Sequence, residues 1–227
     1  MNLGVIIPME EEQRLLLESM ENIEESNIAG VTFYQGTYKK HHLVLALSGI
    51  GKVQASMTTT LMANIYQPEL IINTGSAGGI GQGLKIGDVV ISTKLAYHDV
   101  NVVGYKHGQL PKRELFFEAD SNSVEKIASA ATATGLAFHK GLIVTGDQFI
   151  GTNEQNQQIL GNFPDALASE MEGAAVAQVC NEFKIPFVVI RSMSDVGDSN
   201  AAVDFDEFVV TAGKNSVSML LNFLNNN

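Results

Sequence analysis

The chain predicts a three-layer α/β/α sandwich, a single domain over residues 1–227 with a central, largely buried mixed β-sheet. Short Val- and Ile-rich runs recur along its length, and helical segments separate most of them. No linker-like or low-complexity stretch divides the 227 residues, of which 45% are apolar, enough for one substantial core.

Residues 3–7 read as a short buried strand, and 9–20 as a helix whose opening acids suit the positive end of its dipole. Strands follow at 31–38 and 43–48. Gly49-Ile50-Gly51 then turns the chain into a helix over 52–66, ended by Pro68. Residues 70–73 and 88–93 carry the apolar runs of strands buried on both faces. Between 97 and 114, Gly104, Gly108 and Pro111 break any period and predict a long functional loop. The rest reads as an Ala-rich helix at 121–134, a strand at 141–145, helices at 153–160 and 173–183, a strand at 186–191 and a closing helix at 205–223. Asn225, Asn226 and Asn227 read as a frayed end.

A formal charge of -11 argues against nucleic acid or an anionic membrane as partner, since either needs a basic face. Neutral or cationic small ligands fit better. Cys180 is the only cysteine, so no intramolecular disulfide forms and a reducing cytoplasm is compatible. The first residues lack the basic region of a signal peptide, and no apolar run approaches transmembrane length. A cytoplasmic protein is expected.

Three acidic stations carry the chemistry. Glu10-Glu11-Glu12, Glu170-Met171-Glu172 and Ser194-Asp195 each lie where a strand gives way to a loop or helix. Carboxylates so placed can protonate a leaving group, steady a cationic transition state and position a water, which is the chemistry of glycosidic bond hydrolysis. Taken singly, the first two have plainer readings: a solvated helix start for 10–12, and charge complementarity at a helix end for 170–172. Gly75-Ser76-Ala77-Gly78-Gly79 reads either as a tight turn, its glycines supplying unusual dihedrals or close packing, or as a cradle in which backbone donors and the Ser76 hydroxyl meet a ligand. Its glycine spacing does not match the dinucleotide fingerprint. His41-His42 reads as a solvated turn, and His98, His107 and His139 show no metal-ligand spacing, so no metal is expected.

The order of these segments resembles the 5'-methylthioadenosine/S-adenosylhomocysteine nucleosidases of the nucleoside phosphorylase superfamily. The matching stretches are residues 4–12, Ser48-Gly49-Ile50-Gly51-Lys52-Val53, residues 73–79, Tyr97-His98-Asp99, Gly146-Asp147-Gln148-Phe149-Ile150, residues 170–174, Arg191-Ser192-Met193-Ser194-Asp195 and Phe205-Asp206-Glu207-Phe208. The resemblance covers residues 1 to about 220, implies the nucleoside phosphorylase-like fold, and implies that Glu12, Glu172 and Asp195 meet in space.

It also implies roles. Asp195 would be the acid that protonates adenine N7, with Ser194 and the backbone near Ile150 fixing the adenine edge and Phe149 stacking on its face. Glu172 would stabilise the ribosyl cation and grip the ribose hydroxyls, and Glu12 would deprotonate the attacking water, as the second carboxylate does in inverting glycosidases. Arg191, Ser76 and Gly78 would complete the ribose and water contacts. Met9, Ile50, Val102, Met171 and Phe205 would form an apolar pocket for the 5' substituent. Family members of this kind are homodimers, which makes Tyr105 and Pro111 candidates for contributions from the neighbouring subunit. In Asn101-Val102-Val103-Gly104-Tyr105 the loop is a residue shorter than the family pattern and lacks the phenylalanine before the glycine, which bears on the choice of 5' substituent.

The implied substrates are methylthioadenosine, S-adenosylhomocysteine and 5'-deoxyadenosine, and the resemblance implies that no cofactor is needed. Two alternatives stand beside this: a phosphate-dependent purine nucleoside phosphorylase, and a nucleoside-binding protein without turnover. Hexameric phosphorylases carry an arginine three residues before the serine matching Ser76, where this chain has Asn73. A non-catalytic binder is expected to have lost an acidic station, and all three are present.

Overall fold

The computed structural model describes residues 1–132, 135–196 and 200–227. β1 (Asn2–Ile7) leads into α1 (Glu10–Leu17), followed by β2 (Glu21–Ile28), β3 (Val31–Tyr38) and β4 (His41–Leu47). Then come α2 (Lys52–Tyr66), β5 (Leu70–Gly79), β6 (Val89–Tyr97), the two-residue β7 (Phe117–Glu118) and α3 (Ser121–Thr132). The chain ends with β8 (Phe138–Thr145), α4 (Asn153–Asn162), β9 (Ala166–Glu170), α5 (Gly173–Phe183), β10 (Phe187–Asp195) and α6 (Ala201–Asn225). The last two residues of the helix expected at 121–134 lie outside the described residues.

The strands form one mixed sheet in the order β10-β6-β8-β9-β5-β1-β4-β3-β2, and β10 also pairs with β5. The strands from β5 to β10 therefore close on themselves, while β1, β4, β3 and β2 extend outward as an open wing. The alternation of strand side chains divides the core. Ile6, Ile71 and Val189 face a cluster with Ala55 and Met62 of α2 and Ala174 to Cys180 of α5. Their neighbours Val5, Ile7, Ile72, Val188 and Ile190 face the opposite cluster, which takes in Leu16 of α1, Val124 and Ile127 of α3 and Leu220 and Phe223 of α6. Helices on both faces of a largely buried sheet give the expected layered architecture.

Local departures from the sequence reading have physical causes. β2 is an exposed edge strand rich in Glu, and charge along an edge keeps other strands from pairing there. β9 is five residues with no apolar period, Ala-Leu-Ala-Ser-Glu, and is specified by its neighbours β8 and β5. Residues 74–79 are extended strand and not the tight turn expected, although close packing does require the glycines. A side chain at Gly75 would collide with the Arg191 guanidinium, and a Cβ at Gly78 would sit 2.9 Å from Asp195 Oδ1. His41 is buried, its Nε2 3.0 Å from the Leu224 carbonyl oxygen; only His42 is exposed. The asparagine tail is tied down rather than frayed: the Tyr38 hydroxyl donates to Asn225 Oδ1 at 2.9 Å, and the amides of Asn226 and Asn227 donate to the carbonyls of Asn222 and Phe223.

Candidate active site

The carboxyl ends of β1, β5, β9 and β10 converge on a cavity of about 340 Å³. β5 contributes Ser76 and Gly78, β10 contributes Arg191, Ser194 and Asp195, and the segment after β9 contributes Met171 and Glu172. Met9 follows β1, Ile50 precedes α2, Phe149 and Ile150 follow β8, and Phe205 lies on α6.

Asp195 is aimed by a bulge. β10 runs in register with β5 to Met193, opposite Ala77, and then shifts so that Asp195 stands opposite Gly78. The extra residue kinks the strand and turns the Asp195 carboxyl over the bare backbone of Gly78. The Ser194 hydroxyl, itself fully buried, lies 3.0 Å from Asp195 Oδ2 and 3.3 Å from the Ala77 carbonyl.

Beside it sits a buried charge cluster organised by Arg191, which has no solvent exposure. Arg191 Nη2 donates to Asn73 Oδ1 at 2.7 Å, to Glu170 Oε2 and to Glu172 Oε2 at 3.2 Å, and Nη1 donates to the Ser76 carbonyl at 3.3 Å. Glu172 is the N-cap residue of α5 yet makes no capping bond with its own side chain. Glu170 does that instead, its Oε2 accepting from the N–H groups of Glu172 at 3.0 Å and Gly173 at 2.7 Å. The Glu172 carboxylate is thereby left to face the cavity, where Oε1 accepts the Gly51 N–H at 2.8 Å. Burial pushes its pKa up to about 7, opposed by Arg191 and reinforced by the charge of Glu170.

Glu12 is not the solvated helix start that an acidic run suggests: it is 1% exposed. It approaches Arg191 across Gly75, since a Cβ there would lie 3.2 Å from Glu12 Oε2 as well as against the guanidinium. Neither carboxylate oxygen has a hydrogen-bond partner of good geometry among the described residues. Burial pushes the Glu12 pKa up to about 7; the Arg191 charge and the nearby N–H and hydroxyl of Ser76 lower it in part, and Glu172 raises it. A carboxyl that titrates near neutrality and has no fixed donor is suited to taking a proton from water.

Room for Glu12 is made by α6, where a Cβ at Gly213 would sit 2.7 Å from Glu12 Cγ. Gly213→Ala gains about 1 kcal/mol of helix propensity and has to displace that stem. Since misplacement by about 1 Å can lower a rate roughly 100-fold, the variant is expected to lose about 10- to 100-fold in turnover with its circular dichroism unchanged. Wild-type rates from a folded Gly213→Ala protein would remove Glu12 from the reaction.

The mouth of the cavity is aromatic. Phe149 and Phe205 meet edge to face with centroids 5.8 Å apart, and Phe149 and Ile50 are exposed. The Phe149 loop is fixed to the start of α2 by the motifs around Asp99 and Asp147. Lys52 Nζ and the Asp147 N–H both donate to Asp99 Oδ2, at 2.5 and 2.9 Å, and the Lys52 N–H donates to Asp147 Oδ1 at 2.8 Å. Val102, Tyr105 and Pro111, carried by the loop that follows β6, are not among the residues that line this cavity. Glu170, Gln148 and Pro8, to which the sequence assigns no individual role, also line the cavity. Only Glu170 carried a signal, as a second acid two residues before Glu172. Among the described residues no group of His, Cys, Asp and Glu could hold a metal, and no helix is long and apolar enough to cross a membrane.

Residues 2–225 match the model of the phosphorylase superfamily. Over 231 residues the chain is 46% identical to the 5'-methylthioadenosine/S-adenosylhomocysteine nucleosidase of Listeria monocytogenes, covering 99% of each. It belongs to that nucleosidase family. A second relative of the same name, from Staphylococcus carnosus, is 44% identical over 224 residues, 98% of each chain. The crystal structure of the Neisseria meningitidis nucleosidase in complex with methylthio-immucillin-A superposes with a TM-score of 0.97 at 43% identity, covering 100% of this chain and 99% of that one. A Helicobacter pylori futalosine hydrolase mutant has the same fold, with a TM-score of 0.95 at 30% identity over 100% and 99% of the two chains. Members of the nucleosidase family thus share their architecture with an enzyme named for a different nucleoside.

Proposed function

We propose that this chain, a nucleosidase by family, hydrolyses the N-glycosidic bond of 5'-methylthioadenosine and S-adenosylhomocysteine, and also of 5'-deoxyadenosine, releasing adenine and the 5-substituted ribose. The observation that carries the reading is Glu12, a buried carboxyl with a pKa near 7 beside the ribose-gripping candidate Glu172 and a cavity that Asp195 lines. Asp195, oriented by Ser194 and the bulge, delivers a proton to adenine N7 as the ribosyl bond breaks. Glu172, held by Gly51 and Arg191, stabilises the positive charge that develops on the ribose and binds its hydroxyls. Glu12 takes a proton from the water that attacks the anomeric carbon. Phe149 stacks on the base, and Met9, Ile50, Met171 and Phe205 give a thioether apolar surroundings.

Water rather than phosphate is favoured by charge. Arg191 is the cation among the described residues that line the cavity, and it is already shared by Glu170, Glu172 and Asn73. Each carboxylate within about 4 Å of a phosphate charge would repel it by about 4 kcal/mol at an effective dielectric of about 20. Adenine release from methylthioadenosine is therefore expected to be independent of added phosphate, with free 5-methylthioribose as co-product. A strict need for phosphate and a sugar 1-phosphate product would transfer the chain to the phosphorylases. The homodimer completes the same reading: the loop carrying Val102, Tyr105 and Pro111 extends the apolar mouth of a second copy, and the cytoplasm is where these substrates would be met. Sedimentation as a monomer at full activity would refute the shared mouth.

A further inference from the structure

Glu170 is buried, lines the cavity and has no part in the steps assigned to Glu12, Glu172 and Asp195. Its carboxylate gathers four donors. Oε2 accepts the N–H groups of Glu172 and Gly173 and Arg191 Nη2, and Oε1 accepts the Thr145 hydroxyl, whose oxygen in turn takes the Ala174 N–H at 2.8 Å. The same atom, Arg191 Nη2, also donates to Glu172 Oε2 at 3.2 Å and to Asn73 Oδ1 at 2.7 Å. One guanidinium nitrogen is thus divided among three acceptors, and Glu170 is held against it by the first turn of α5. Such an arrangement caps the helix and fixes the backbone from which Glu172 projects.

We propose that Glu170 is a positioning residue that competes with Glu172 for Arg191 Nη2 and so keeps Glu172 from being locked in a full ion pair with that guanidinium. The proposal deepens the nucleosidase reading and rests on it for its catalytic meaning. The competition itself is a property of the protein alone. In the structure, burial is the main influence holding the Glu172 proton affinity high, with Arg191 acting against it and the Glu170 charge with it. Glu12, whose proton affinity Glu172 also raises, belongs to the same coupled set, so the titration midpoints describe the cluster.

Glu170→Gln keeps the shape and an acceptor for the α5 N–H groups while removing the charge. In protein labelled with glutamate carboxyl ¹³C, the resonance lost in Glu172→Gln identifies Glu172. In Glu170→Gln its midpoint is expected to fall by about one pH unit or more, a tenfold loss of proton affinity, because Arg191 then serves Glu172 undivided. A midpoint that stays in place would overturn the proposal and reduce Glu170 to a cap. This readout needs no turnover, so an inactive wild type would refute the hydrolase reading without touching it. Where the wild type is active, the acid limb of kcat/KM is expected to move down in pH together with the resonance. Should Glu170→Gln fail to fold, Asn73→Asp places another carboxylate on the same nitrogen and is expected to raise the Glu172 midpoint; a fall or no change would count against competition for Arg191.

Discussion

Asp195→Asn is expected to lower adenine release from methylthioadenosine by roughly 1,000-fold, the middle of the range that general acid catalysis supplies. Adenine leaves poorly as an anion, and an amide has no proton to give it. The side chain keeps its size, and the bulge at Met193 and Asp195 is a backbone feature, so the fold and the contact with Ser194 survive. Substrate is therefore expected to bind the variant with affinity close to that of the wild type, which calorimetry can measure because turnover is slow. Near-normal turnover would remove Asp195 as the acid. Lost binding together with lost turnover would assign it to recognition instead.

Glu12→Gln is expected to lower turnover by roughly 100-fold or more while making the protein more stable at alkaline pH. The sign follows from linkage. The Glu12 carboxyl is raised from 4.5 to about 7, so between those values the folded chain holds a proton that the unfolded chain releases. Its stabilising contribution is complete below 4.5 and is lost as pH rises through about 7, and at pH 8 the folded state carries a buried charge. For Glu12 alone the difference is about 3 kcal/mol at most. Thermal melts should therefore show the wild type falling in stability between about pH 4.5 and 7 and levelling off above. Glu12→Gln should fall less steeply, with Glu172 supplying the remaining slope. Parallel curves would mean that Glu12 is not the buried titrating group, and full activity would remove its role toward water.

Much of this was legible in the chain, for reasons that differ by element. α2 was read at its true bounds because Gly51 and Pro68 bracket a continuous helical run, and α5 because small residues repeat between Glu172 and Lys184. β2 was missed because an exposed edge strand has no buried face to leave a pattern, and β9 because its two alanines and single serine carry no period. The three acidic stations were found as residues. Their convergence came only from resemblance, since nothing local tells Glu12 that β5 and β10 end beside it. Glu170 is visible in the sequence only as an acid, because its partners Arg191, Thr145 and the turn of α5 come together only in three dimensions. Val102 lies on the loop from 98 to 116, which has no strand or helix period from which the place of its side chain could be read.

The dependence of Glu12 on α6 bears on when the enzyme becomes an enzyme. Synthesis proceeds from the amino end, and α6 follows every other part of the site in chain order. A ribosome that has delivered β10 has already made all three carboxylates, but not the helix whose Gly213 seats one of them or the Phe205 that narrows the mouth. Chains that end before α6 are therefore expected to release no adenine from methylthioadenosine, which would make adenine release a readout of completed folding. A destabilised variant that fails to dock its final helix would be lost from a metabolic assay before it was lost from a blot.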